Sequence, residues 1–227
     1  MRRYLPWIIV VLVGVLAVGG GVALYQIKRP RVLTTTTENI ANTAGESLHI
    51  RGNPNAAVTL EEFGDYQCPP CAILAEPLNQ LEREFDKKLR LIFYNFPLIN
   101  HQHARAAAHA AEAAGLQGKF WEMHDLIYKE QKTWSKATEV KSMFVSYAGI
   151  LGLDLERFKT DMESETVKSK VEADQKRGTS IGVQNTPTLF LNNRAVPATE
   201  MAPDRLRAAV EAAVKAADSP SPQSSKK

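Results

Sequence analysis

The sequence predicts an α/β protein in which an all-helical block interrupts a sheet-forming unit, behind an apolar N-terminal segment. Residues 57–96 read strand, helix, strand. From residue 101 to about 180 there is almost no strand signal, and it returns at Pro187. Between Arg3 and Lys28 lie 24 residues without a charge.

The first element is that uncharged run, with LPWIIVVLVGVLAVGGGVALY at its heart. As a helix it would reach about 36 Å, enough to cross a bilayer's hydrocarbon core. Tyr4, Trp7 and Tyr25 lie near its ends, where aromatic rings favour the interface. Gly21-Val22-Ala23 also offers a small-residue cleavage site. The run is longer than the roughly 7–15 residues of a signal-peptide core, which favours an uncleaved anchor. Cations flank both ends (Arg2 and Arg3; Lys28, Arg29 and Arg31), so charge alone leaves its orientation tied. These five cations stand in a segment without acids, so the rest of the 227-residue chain has net charge −2 against +3 for the whole. The basic balance thus belongs to the ends of an apolar segment, and no basic face points to nucleic acid.

A polar stretch to about Ser47, TTTTENIANTAGES, reads as a linker. Ala57 to Asp65 then reads as a strand that runs straight into Cys68-Pro69-Pro70-Cys71. A helix follows from about Pro70 to Phe85, with Leu74, Leu78, Leu81 and Phe85 on one face and Pro77 interrupting its ladder. Leu89 to Phe96 is apolar enough for a strand buried on both faces. The helical block begins with HARAAAHAAEAAG and KFWEMHDLIYKEQ and ends with TVKSKVEADQKRGTSIG. Pro187 to Leu191, an Asn192-Asn193 turn and Ala195-Val196 read as a hairpin. The amphipathic helix PDRLRAAVEAAVKAA and a Ser/Pro/Lys tail close the chain. The expected organisation is an anchor at 1–29, a linker at 30–46, a first half at 47–100, a helical insertion at 101–180, a second half at 181–217 and a tail at 218–227.

Cys68 and Cys71 are the only cysteines. Beyond the N-terminal segment about 180 residues remain, in a chain that is 44% apolar overall, enough to build a core without a staple, and a C-x-x-C bridge would close only a very short loop. A structural zinc site would need more ligands, and His101, His103, His109 and His124 are not spaced to share one helix face. These histidines read as ordinary helix residues. No cofactor is implied. A cysteine pair at a strand-to-helix junction places sulfur at a helix N-terminus, where free N–H groups and the helix dipole stabilise thiolate. Cys68 is then expected at the exposed tip as the low-pKa nucleophile, and Cys71 one turn in as the resolving residue. Such chemistry suits an oxidising compartment and places the domain outside the cytosol.

Three separated motifs, NPNAAVTLEEFGDYQCPPC, QGKFWEMHD and VQNTPTLFLNN, together resemble the DsbA-like thiol:disulfide oxidoreductases over about residues 46–217. The resemblance implies a thioredoxin-like fold with an all-helical insertion domain, here preceded by an N-terminal transmembrane helix. It implies that Cys68 and Cys71 are the redox-active pair, and that Thr186-Pro187 is a cis-proline loop whose backbone pairs with an extended substrate chain. Pro69 and Pro70 would border that substrate site. Glu62 matches a buried acid that relays the proton of Cys71, the alternative being a solvated strand residue. Phe120 and Trp121 are expected to pack, and Asp65 and Tyr66 to line the rim. The implied partners are reduced or misoxidised extracytoplasmic proteins and a membrane redox partner that recycles the pair. The implied setting is a single-pass monomer with its catalytic domain on the periplasmic side, an oxidase rather than a reductase. A metal-binding or metallochaperone module is the competing reading. The chain departs from the best-known oxidases between its cysteines, where those have a histidine. Pro69 and Pro70 offer no imidazole nitrogen and no amide N–H donor, which predicts a milder potential.

Overall fold

The computed structural model describes residues 49–219, within a compact unit spanning Glu46–Lys227. The expected anchor and linker, and the tail from residue 220, lie outside the described residues. Among the described residues no helix is long and apolar enough to cross a membrane.

Five strands form one sheet in the order β1-β3-β2-β4-β5: β1 (His49–Gly52), β2 (Val58–Gly64), β3 (Leu89–Asn95), β4 (Thr188–Leu191) and β5 (Arg194–Ala195). The central pair β2 and β3 is parallel, and the other pairings are antiparallel. The parallel pair is joined by α1 (Pro69–Phe85), the crossover that parallel neighbours require. Both strands are largely buried, as the apolar character of β3 predicts for that strand, whereas β2 buries Glu61 and Glu62 as well. β1 was not legible as a strand: it has four residues and its partner lies some forty positions away.

α1 keeps the predicted face, burying Leu74, Leu78 and Leu81 against the sheet. Pro69 and Pro70 occupy its first turn, where amides have no intrahelical partner, so they cost the helix no ladder bond. Pro77 sits inside the continuous helix. Its missing bond is the one to the carbonyl of Ile73, a residue 75% exposed, where water can satisfy that group.

The helical block comprises α2 (Ala104–Gly115), α3 (Phe120–Lys129), the short α4 (Gln131–Trp134), α5 (Val140–Ile150), α6 (Leu155–Met162) and α7 (Glu165–Ser180). α2 buries Ala107, Ala108, Ala110, Ala111, Ala113 and Ala114, small side chains that let neighbouring helices approach. Asp154 and Ser164 cap α6 and α7 by accepting from Arg157 N–H and Val167 N–H. The chain then returns through β4 and β5, turning at Asn192 and Asn193 with φ of 48° and 65°. Asparagine tolerates this left-handed region, and the pair suits a two-residue hairpin. α8 (Pro203–Asp218) buries Leu206, Val210 and Val214 on the α1 side of the sheet.

Candidate active site

β2 delivers the candidate residues in sequence order. Alternation puts Val58, Leu60 and Glu62 on one face of the strand. Val58 and Leu60 pack in the core beneath α1 and α8. Glu62 follows them inward and is 1% exposed, so the solvated reading of this residue does not hold. The chain leaves β2 at Gly64 and reaches Cys68, the N-cap of α1, in four residues.

That connection is tied down from several sides. Asp65 is 1% exposed; its carboxylate accepts from Gln67 N–H (2.7 Å) and Leu98 N–H (2.8 Å), and its Oδ2 meets His101 Nδ1 at 2.7 Å. Cys68 N–H donates to the Asp65 carbonyl at 3.0 Å. Gln131, buried in α4, donates from Nε2 to the carbonyls of Tyr66 (2.7 Å) and Cys68 (2.9 Å). The helical block thus grips the backbone on which Cys68 stands. Asp65 and Tyr66 are buried and do not line the rim. Sequence reasoning missed Gln131 altogether, because nothing in KEQKTW marks a glutamine as the one turned inward.

Cys68 and Cys71 are free thiols. Cys68 is 4% exposed, so it is not the expected exposed tip: the Thr186-Pro187 loop closes over it. The Cys68 thiol donates to the Thr186 carbonyl at 3.3 Å, and the Thr186-Pro187 bond is cis. The structure therefore brings together residues 118 positions apart in sequence. Pro69 and Pro70 are exposed. Pro70, Ile73, Pro77, Pro187, Met201 and Pro203 help to line an apolar groove of about 470 Å³ beside the pair.

The two sulfurs have opposite electrostatics. The Cys68 thiol is lowered from 9.0 to about 6, chiefly by a hydrogen bond from the Cys71 thiol and further by the Thr186 side chain and the Cys71 backbone N–H, against its burial. With prolines at 69 and 70, Cys71 supplies the first backbone donor of α1. Cys71, with no exposed surface, is pushed up by burial, by its hydrogen bond to Cys68 and by the nearby Glu62 and Cys68 charges. Glu62 is raised from 4.5 to about 8 by burial, then by repulsion from Cys68. Such an arrangement supports a thiolate at Cys68 near neutral pH, and a protonated acid beside a protonated Cys71.

The four histidines do not converge. His101 meets Asp65, while His124 lies among Tyr66, Phe93, Trp121 and Tyr128 with Nδ1 2.9 Å from Asp125. Phe120 and Trp121 pack as expected; the Trp121 ring N–H donates to the Ile50 carbonyl and Arg51 stacks over the ring. Among the described residues no group of three or more His, Cys, Asp or Glu side chains is arranged to hold a metal.

The thioredoxin family model matches residues 43–212. BdbD from Bacillus subtilis superposes with a TM-score of 0.66 at 24% identity, covering 75% of this chain and 96% of that one. A thioredoxin-like oxidoreductase from Silicibacter pomeroyi gives 0.63 at 27% identity, covering 74% and 92%. The thiol-disulfide exchange protein alpha-DsbA2 from Wolbachia pipientis gives 0.61 at 21% identity, covering 72% and 85%. In sequence, the Na(+)/H(+) antiporter NhaA 1 of Mycolicibacterium gilvum is 36% identical over 154 residues, 66% of this chain but 24% of that one. Its counterpart from Salinispora arenicola is 37% identical over 147 residues, 64% and 22%. This chain spans about a quarter of the length of the curated relatives it matches, so the likeness concerns one portion of those proteins.

Proposed function

This chain belongs to the thioredoxin family as a DsbA-like thiol:disulfide oxidoreductase, and from that premise we propose that Cys68 and Cys71 pass a disulfide to protein substrates outside the cytosol. The observation that carries this reading is the asymmetry of the pair, a Cys68 thiol lowered to about 6 beside a buried Cys71 that is raised. A substrate thiolate attacks Cys68 Sγ of the oxidised pair. The Sγ–Sγ bond breaks and Cys71 leaves, taking its proton from Glu62. A second substrate thiolate then attacks the first substrate sulfur, and Cys68 departs as a stabilised thiolate. The substrate gains a disulfide, and its two electrons rest on the reduced pair.

Thr186 and Pro187 present backbone to an extended substrate segment, and the apolar groove bordered by Pro70 receives its neighbouring side chains. Pro69 and Pro70 leave the mouth without amide donors. No cofactor takes part; a membrane redox partner reoxidises the pair. Residues 1–29 tether a single-pass monomer to the cell membrane with the 47–217 region on the periplasmic side. The Na(+)/H(+) antiporters share this domain without lending it ion transport.

Direction is the part most open to measurement. Two prolines leave the Cys68 sulfur short of amide donors, so a potential milder than that of a strong oxidant, between about −120 and −270 mV, is expected. The test assays the full chain for oxidation of a reduced protein and for reduction of insulin, with redox titration against glutathione. Faster oxidation and an intermediate potential are expected; faster insulin reduction with a potential at the reducing limit overturns the oxidase direction. Retained turnover in Cys68→Ser sinks the redox reading itself. Stoichiometric metal on the purified reduced protein would move the assignment to a metal-binding module.

A further inference from the structure

Glu62 is sealed from solvent, yet the cycle above requires it to give up a proton and recover one. Its Oε1 has no hydrogen-bond partner. Two other buried atoms nearby share that condition, the hydroxyls of Tyr66 and Tyr128. The two tyrosine rings lie with centroids 4.8 Å apart. A Cβ on Gly64 would stand 2.8 Å from the Tyr128 hydroxyl, and Gly64 lies two positions along β2 from Glu62, on the same face. The missing side chain at 64 thus gives the Tyr128 hydroxyl its place against β2, two positions along the strand from Glu62. Buried polar atoms are almost always partnered, commonly by an internal water with two to four polar neighbours. Tyr128 also reaches a second environment. It forms part of the wall of a polar groove of about 330 Å³ between α1 and α3, with Asn79, Glu76, Arg83, Asp125 and Lys129.

We propose that Tyr128 is a positioning residue for the redox step: through one internal water held by Glu62 Oε1 and the Tyr66 and Tyr128 hydroxyls, it sets the protonation of Glu62 and connects it to this groove. The inference rests on the oxidoreductase reading and deepens it. When Cys71 leaves as a thiolate it takes the Glu62 proton. The resulting carboxylate is held by the water, and through it by the Tyr66 and Tyr128 hydroxyls, until one proton returns to Glu62 from the side of the groove. One proton enters, no electron moves along the path, and the hydroxyl ends neutral.

The surrounding charges make hydroxyl donors matter. Cys68 acts on Glu62, while Cys71, Glu62, Tyr66 and Asp65 act on Tyr128. Glu112 of α2, Asp125 of α3 and Asp174 of α7 act on Tyr66. His124, packed against both tyrosines, is held toward its neutral form by burial. Arg51 pairs with Asp125 at 2.7 Å, and burial and Cys68 both act against the Glu62 charge, so hydrogen-bond donors are what favour the Glu62 carboxylate. Tyr128 itself stays protonated, because burial and those acids raise it well above its ordinary value.

The test is Tyr128→Phe in the full chain, which removes one hydroxyl and keeps the ring. A mixed disulfide is formed between Cys68 and glutathione, and its release by Cys71 is followed against pH. Release needs Glu62 as a carboxylate to accept the Cys71 proton. The variant is expected to shift the midpoint upward by about one pH unit and to slow release about tenfold below it, the effect of losing one hydrogen bond to a charged group. The pH profile of Cys68 alkylation should stay in place, which a general loosening of the fold would not allow. An unchanged release profile overturns the relay. If the unmodified chain forms no mixed disulfide, the oxidoreductase reading fails instead, so the two failures are distinguishable. A crystal structure of the unmodified chain tests the relay independently of how the variant folds. An ordered water within hydrogen-bonding distance of Glu62 Oε1 and the Tyr128 hydroxyl is expected, and a dry site overturns the proposal.

Discussion

Cys68 and Cys71 are identical side chains three positions apart, and their difference lies in what surrounds each sulfur. Cys68 receives hydrogen bonds at a helix N-terminus, whereas Cys71 is buried and feels the charge of the buried Glu62. Glu62 is the residue on which pH should act most clearly. Its carboxyl is raised from 4.5 to about 8, so the folded protein holds that proton over a range in which the unfolded chain has lost it. Its favourable linkage is complete below about 4.5 and is lost as pH rises through about 8. Glu62→Gln, neutral at every pH, should therefore raise stability at pH 9 by more than about 2 kcal/mol and give no such gain at pH 4. Urea denaturation at the two pH values reads this directly. Equal effects at both would show that the carboxyl is not perturbed.

The decisive element is α1, whose first turn serves both the fold and the thiol. Because its first amides have no ladder partners, Pro69 and Pro70 leave the helix intact and take their toll on the Cys68 sulfur. Pro70 stands at the second helical position, from which an N–H ordinarily reaches the cap side chain. Pro70→Ala restores that donor. It should lower the Cys68 thiol by up to about one unit and make the pair about 30 mV more oxidising, a tenfold change in a two-electron couple. Alkylation kinetics and glutathione titration measure the two effects, and a potential that does not move would remove the prolines from the explanation. Elsewhere, close approach constrains elements as strictly as chemistry does. A Cβ on Gly178 of α7 would meet Phe96 at 2.7 Å and Phe63 at 2.9 Å, so this helix lies against the sheet only because position 178 has no side chain.

At the scale of the molecule, the loop that carries Cys68 belongs to the core of the helical block. Tyr66, Cys68, Cys71 and Phe93 share one buried cluster with Met123, Ile127, Trp134, Phe144 and Phe158. The insertion is therefore part of the site's support, and Gln131 adds polar ties to the same loop. Trp134 has no exposed surface, and its ring N–H donates to the Ile127 carbonyl at 2.7 Å. Trp134→Ala should cost about 3–5 kcal/mol. Because the core is shared, calorimetry should show the whole 46–227 unit melting earlier in a single transition. A second, separate transition would show that the two portions unfold independently.

The sequence by itself determined the parts whose signals are local or periodic. Among these are β2 running into the cysteine pair, the Leu74–Leu78–Leu81 face of α1, the long helical block, and the Asn192-Asn193 turn. It also supplied the family pattern that tied Thr186-Pro187 to Cys68. What only the tertiary structure decided are the relations that depend on neighbours distant in sequence. β1 exists because His49–Gly52 finds β3, and Cys68 is covered because the loop before β4 folds over it. Glu62 is a buried acid because the face it shares with Val58 and Leu60 lies beneath packed helices. Gln131, Tyr66 and Tyr128 carry no mark in sequence of their buried places around the cysteine pair. The physical reason is that burial and hydrogen-bond partnership belong to the assembled environment, and a polar residue's charge state follows from that environment more than from its own identity.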